Sequence, residues 1–239
     1  DAAAIFRAIG HRRGETIVRL NTADIRLTVF GDAEAARRDT EAALAYALEA
    51  RERTNEGQSL TILGSVARQM GRLAEARRLM QASIATLEAT GERWLEAQAR
   101  IQLVHVELDA GRPEAALASW EAAEALCREL GMASLDGDLL TARGAALLAL
   151  GRHEEALAAL ERAEEQPGSG VQRTYLAPFV RSRVLQALGR EAEAAAALQR
   201  AYQVVLDLIK GLSPAEQQVC LAQQPEFRAV AEARQARRG

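Results

Sequence analysis

The sequence predicts an all-α fold, a ladder of antiparallel helix hairpins stacked into a solenoid. Three observations carry this. Alanine, leucine, arginine and glutamate, all strong helix formers, dominate the composition. No run of alternating β-branched or aromatic residues bounded by turn residues reads as a strand. One pattern also recurs five times: a glycine, one or two polar residues, then Glu-Ala or Ala-Ala opening a new helix. It reads GDAEAA from Gly31, GRLAEA from Gly71, GRPEAA from Gly111, GRHEEA from Gly151 and GREAEA from Gly189, with spacings of 40, 40, 40 and 38.

Each unit has a physical reading. The glycine ends one helix, because it accepts the left-handed backbone of a C-cap without a Cβ penalty. A few residues on, Ala36, Ala76, Ala116, Ala156 or Ala194 sits where two helices cross closely. Seven residues further lies a second small residue: Ala43, Ser83, Ala123, Ala163 or Ala201. Between them four units carry a large side chain (Met80, Trp120, Leu160, Leu198), and Thr40 is the exception. Small residues at two-turn spacing let one helix nest on another.

These residues resemble the tetratricopeptide repeat family over nearly the whole chain. The stretch Leu150-Gly151-Arg152-His153-Glu154-Glu155-Ala156-Leu157 is typical of it, and the family's small residue in mid first helix appears as Gly64 and Gly144, seven before the turn glycine. The third, fifth and first units depart from it with Val104, Ser182 and Asp24 at that position, and the proline usual at the repeat end is mostly missing. The resemblance implies a right-handed superhelical solenoid. The period near 40 implies longer helices or links than the common 34-residue repeat. Repeats of this length are similar to those of large bacterial signalling and transcription regulators.

Elements follow in order along a single domain, 1–239. Residues 1–12 fit the second helix of a preceding hairpin, a leading half repeat. Helix pairs are expected at 15–30 with 32–53, 56–70 with 72–90, 92–110 with 113–130, 136–150 with 152–166, and 171–188 with 190–210. The intervening Gln166-Pro167-Gly168-Ser169-Gly170 is a loop between repeats. Pro178 kinks or delays the helix after it. Residues 213–238 read as a C-terminal cap, which a solenoid needs to cover its last apolar face. There Ser213-Pro214-Ala215-Glu216 is a capping-box start, and Pro225 begins a second short helix with Phe227 and Val230 on one side. The sequence opens at Asp1 without a methionine and is expected to be part of a longer chain.

The chemistry-bearing residues argue against an enzyme. The 239 residues carry a net charge of −3, which gathers no nucleic acid. The basic end, Arg228, Arg234, Arg237 and Arg238, has no aromatic interleaving and reads as a frayed, solvated terminus. No apolar run reaches the ~20 residues that span a bilayer. Cys127 and Cys220 form no disulfide or metal pattern and read as small buried or half-buried side chains, with a cytoplasmic setting as the default. Metal, phosphate-loop and dinucleotide motifs are absent, so no cofactor is expected. Among the three histidines His153 reads as turn packing, His11 as exposed, and His105 as a concave-face candidate. Glu34 with Arg38, and Glu124 with Arg128, are spaced as solvated i,i+4 pairs. Trp120 is placed in the core.

What remains is a binding surface. The resemblance implies that first helices line a concave groove, with four positions of each pointing inward. Counting from the turn glycines gives Asn21 and Ile25; Gln58, Thr61, Ser65 and Arg68; Gln98, Ile101 and His105; Asp138 and Thr141; and Phe179, Arg183 and Gln186. Amides and hydroxyls suit a peptide backbone and arginines take carboxylates. The same count puts Arg100, Glu107 and Arg181 at nominal core positions. The expected function is a protein or peptide interaction module in a larger bacterial signalling or transcription regulator. The rival reading is a receptor for a small peptide or metabolite that switches an output domain. Self-association through the orphan first helix or the C-terminal end is a further expectation.

Overall fold

The computed structural model describes residues 5, 6, 8–166 and 174–237. Among them every regular element is helical: α1 (Arg12–Ile25, continued by a π-turn over Arg26–Phe30), α2 (Ala33–Ala50), α3 (Arg53–Gln69), α4 (Leu73–Thr90), α5 (Arg93–Asp109), α6 (Pro113–Leu130), α7 (Asp136–Ala149, preceded by a 3-10 turn Ala133–Leu135), α8 (His153–Glu165), α9 (Leu176–Ala187), α10 (Glu191–Ile209), α11 (Pro214–Gln223) and α12 (Pro225–Ala236). Residues 5, 6 and 8 are helical too, and Gly10 ends that stretch at φ 71°. Pro167–Gly170, the start of the expected 171–188 helix and Arg238 lie outside the described residues. Pro178 falls in the first turn of α9, where its missing N–H has no helical partner to lose, so it sits at a helix start and not at a kink.

The backbone gathers into two compact units, Asp1–Val106 and Glu107–Gly239. In the first, α1 packs on α2, α2 on α3 and α3 on α4, and the first helices α1 and α3 also touch. Leu20, Ala23, Leu27, Ala36, Ala43, Ile62 and Val66 form one buried cluster, and Ile84 and Leu87 meet Ala99 in another. In the second unit α6 packs on α7, α7 on α8, α8 on α9 and α9 on α10, with α7 touching α9. Its core holds Leu147, Leu157, Leu160, Val184 and Leu185. α12 lies on α10, and Phe227 meets Tyr175 edge-on at 5.1 Å. The Tyr175 hydroxyl donates to Glu226, and the Ser213/Glu216 capping box is formed.

The repeat works as its small residues require. Ala36, Ala76, Ala116, Ala156 and Ala194 are all fully buried, as are Ser83, Ala123 and Ala201. Gly64 and Gly144 face the large residue of the paired helix. A Cβ on Gly64 would lie 2.9 Å from Met80 Cε, and one on Gly144 2.5 Å from Leu160 Cγ. Val104 and Ser182, in the same register, are buried as well. Trp120 departs from the expected core placement: it is only half-buried.

Hairpin turns share one geometry. At Gly71, φ is 74°, and the next residue's N–H reaches back to the Ala67 carbonyl at 2.8 Å, closing the helix end. A second series of left-handed residues ends the second helices: Arg51 (φ 56°), Gly91 (φ 72°) and Gly131 (φ 62°). Only the first of these lacks glycine's freedom. Asp32 caps α2 with its side chain, but α4, α8 and α10 open without a side-chain N-cap, since an arginine occupies that place. That arginine instead grips the glutamate three residues on: Arg72–Glu75 at 3.1 Å, Arg152–Glu155 at 2.6 Å and Arg190–Glu193 at 2.6 Å. The pairing holds Glu155 and Glu193 below the usual carboxylate range, chiefly through the hydrogen bond from the arginine. Each carboxylate thus stays ionised over the positive end of its helix.

The charged residues at nominal core positions have partners. Glu107 is 2% exposed and pairs with Arg112 at 2.8 Å. Glu96, 1% exposed, takes Arg93 and Arg100 from its own helix, each at 2.8 Å. Arg181 reaches Glu164 at 3.4 Å. Of the two i,i+4 pairs expected, Glu124–Arg128 forms at 3.4 Å, but Glu34 pairs with Arg37 at 3.0 Å instead of Arg38. The C-terminal end is anchored, contrary to the frayed terminus expected. Arg234 donates to Gln199 at 2.8 Å and stacks on Tyr202 at 4.3 Å, while Arg237 meets Glu191 at 3.1 Å.

Three substitutions probe this account. Gly144→Val should cost about 1–3 kcal/mol in urea unfolding through overpacking against Leu160. Gly211→Ala, whose Cβ would meet nothing within 4 Å, should stay within about 0.5 kcal/mol of wild type. Arg51→Gly should raise stability by about 0.5–1 kcal/mol, because relief of the left-handed strain exceeds glycine's entropy cost.

Candidate functional site

First helices expose what packing does not consume. In the first unit α3 turns Gly57, Ser59, Ile62 and Gly64 into the interior. Gln58, Ser65 and Arg68 are half-buried between those positions, as are Gln98 and His105 on α5, while Asn21 and Ile25 on α1 are exposed. Thr61 belongs to the fold: its hydroxyl lies 2.7 Å from Ser83 on α4, which in turn donates to the Gly57 carbonyl at 2.8 Å. Ile101 is 4% exposed and offers no surface. In the second unit Asp138 and Phe179 are half-buried, and Arg183 and Gln186 are exposed. Thr141 is buried, its hydroxyl donating to the Gly137 carbonyl at 2.7 Å. Counting from the turn glycine thus set the helix but misjudged the face at Thr61, Ile101 and Thr141. Hydroxyls that satisfy themselves on the preceding turn look in sequence like hydroxyls offered to a ligand.

A second feature was not expected from the sequence. Within the second unit a cavity of about 390 Å³ opens among α6, α7 and the end of α8. Trp120 and Cys127 line it from α6, Leu139 and Leu140 from α7, and Arg162 and Gln166 from the far side. Arg143 of α7 also lines it and lies over the Trp120 ring, 4.9 Å from the centroid. The signal for it was the unit's odd large residue, an indole with a polar edge where Met80 and Leu160 stand elsewhere, and the arginine just before Gly144.

Among the described residues no group of three or more His, Cys, Asp or Glu could hold a metal ion, and no helix is long and apolar enough to cross a membrane. His11 caps α1, its Nδ1 accepting from the Gly14 N–H at 2.9 Å. Both cysteines are buried and free. Burial pushes the Cys127 thiol up to about 11, with Asp136 and Glu124 adding to the shift. A proton held that tightly leaves little thiolate at neutral pH, so Cys127 is a wall and not a nucleophile.

Comparison with known proteins gives the fold its name. The tetratricopeptide repeat family matches residues 137–166, the α7–α8 hairpin and its glycine turn. Two solved structures align along most of the chain. One is BtubC (BKLC) from P. vanneervenii, at TM-score 0.63 and 17% identity over 89% of this chain and 90% of that one. The other is a thermophilic TPR protein of Thermus thermophilus, at TM-score 0.58 and 19% identity over 91% of this chain and 99% of that one. The chain has the fold of these tetratricopeptide-repeat proteins. Sequence comparison with curated proteins finds no match. The tetratricopeptide fold supports a protein-interaction or scaffold module, and the α7–α8 hairpin that matches the family also bounds the cavity.

The raised Cys127 thiol has a pH consequence. Unfolded chains lose this proton near pH 9 and the folded chain near 11, so the unfolded state binds fewer protons between those values. The stability contributed by Cys127 should therefore be intact below about pH 9 and fall as pH rises towards 11. Comparing urea unfolding of the native chain and Cys127→Ala at pH 8 and pH 10.5 checks this: the difference between them should shrink at the higher pH.

Proposed function

We propose that this tetratricopeptide-repeat chain is a non-catalytic interaction module. It serves as the sensory or scaffolding segment of a larger bacterial signalling or transcription regulator in the cytoplasm. The observation that carries the reading is the row of half-buried polar groups on the first helices of the first unit: Gln58, Ser65, Arg68 and Gln98. Their helices spend the small and apolar residues on packing and leave amides, a hydroxyl and a guanidinium outward. Those groups hydrogen-bond an extended peptide backbone and its carboxylates. In the second unit Asp138, Arg183 and Gln186 offer the same chemistry. Ile5 and Ile9, 63% and 67% exposed, support self-association through the N-terminal end as an accessory mode. The cavity at Trp120 favours a second reading, a receptor for a small ligand whose binding alters hairpin packing.

Gln58→Ala, Arg68→Ala and Gln98→Ala combined should abolish capture of the native partner in a pull-down, with the melting temperature within a few degrees of wild type. Thr61 is left intact because it holds α3 to α4. Undiminished capture by the folded triple variant would reject this surface.

A further inference from the structure

The receptor reading can be taken further, because the cavity in the second unit has a defined chemistry. One part of its lining is apolar, built from the buried Leu139 and Leu140 with the Trp120 ring, and the rest is polar and charged. Its volume of about 390 Å³ is at the small end of ligand sites and fits an aryl or branched-alkyl body with one polar group. Three arginines line it, Arg128, Arg143 and Arg162, against two carboxylates, Glu124 and Asp136. Glu124 is turned to Arg128 at 3.4 Å. Arg143 lies over the indole, 4.9 Å from the ring centroid, and its charge helps hold Glu155 ionised. Two N–H groups here, Trp120 Nε1 and Arg143 Nε, are shut off from solvent and meet no acceptor. Both groups are donors, and the lining carries three guanidinium groups against the carboxylates of Glu124 and Asp136.

We propose that this cavity binds a small apolar monocarboxylate, its body on Leu139 and Leu140 and its carboxylate at Arg143 and Trp120. The carboxylate pairs with the guanidinium that lies over the indole. Arg162, on the opposite side, adds attraction for an anion. The proposal rests on the receptor reading and is independent of the groove on the first helices.

Trp120 is a built-in reporter. The chain has two tryptophans, and Trp94 is 44% exposed, so Trp94→Phe leaves Trp120 as the sole indole without disturbing the core. The test titrates that variant with three probes sharing one aryl body: phenylacetate, phenylacetamide and phenethylamine. Phenylacetate should give a saturable fluorescence change, with an affinity at least about tenfold tighter than the amide or the amine. Arg143→Gln should lose about tenfold or more of that affinity, read by calorimetry, with Arg162→Gln as the second variant if Arg143→Gln fails to fold. Amide or amine binding as tight as the acid, or full affinity in the folded arginine variant, overturns the carboxylate assignment and leaves the receptor reading standing. No saturable change with any probe up to about 10 mM, a range that covers even very weak binding, overturns both.

Discussion

The structure depends on one steric constraint: a large side chain of the second helix must enter a gap left by a small residue of the first. Leu160 sits where a side chain on Gly144 would be, and Met80 where one on Gly64 would be. Gly57 repeats the contact with Leu87, whose Cδ2 lies 2.6 Å from the place of the missing Cβ. Around these pairs the alanines at two-turn spacing let the backbones approach, and the dense packing that results is what a chain with only 4% aromatics has for a core. Hairpins built this way bury one face on their partner and leave another for the next hairpin, so stability comes from neighbour contacts in series.

Charge is fitted into the same frame. Glu96 and Glu107 are as buried as leucines, and each is held by arginines a turn away or across a turn. Such pairs cost desolvation and return it through short, charge-assisted bonds. The Arg–Glu grip at the start of the second helices does similar work at the surface, supplying a carboxylate to the positive helix end where serine or aspartate is missing. Where the frame relaxes, a cavity appears. Trp120 is too large and too polar to follow Met80 and Leu160 fully inside, and its ring turns to Arg143. The same repeat position is thus core in three hairpins, at Met80, Leu160 and Leu198, and cavity wall in another.

Much of the fold was legible because the forces that set it are local. Glycine at a C-cap, Ser213 with Glu216, and Pro225 at a helix start act within one or two turns, and α2, α4, α5, α6, α7 and α8 begin within one residue of the expected starts. The site was legible only to the level of the helix. Thr61 and Gln58 are three residues apart, yet one bonds Ser83 of α4 and the other stays half-buried at the surface, a difference set by how α3 packs on α4. Arg234 and Arg237 read as a loose end, because nothing in their neighbourhood announces Gln199, Tyr202 and Glu191, which lie more than thirty residues away.

By itself, then, the sequence determined a series of helical hairpins with forty-residue steps, since glycine φ, alanine volume and helix capping are properties of single residues and short spacings. Tertiary structure alone decided which polar groups the packing consumes, where charges find partners, and that Trp120, Arg143 and Arg162 surround one cavity. Those outcomes depend on distances between segments far apart in the chain, which hydrophobic pattern and local propensity do not encode.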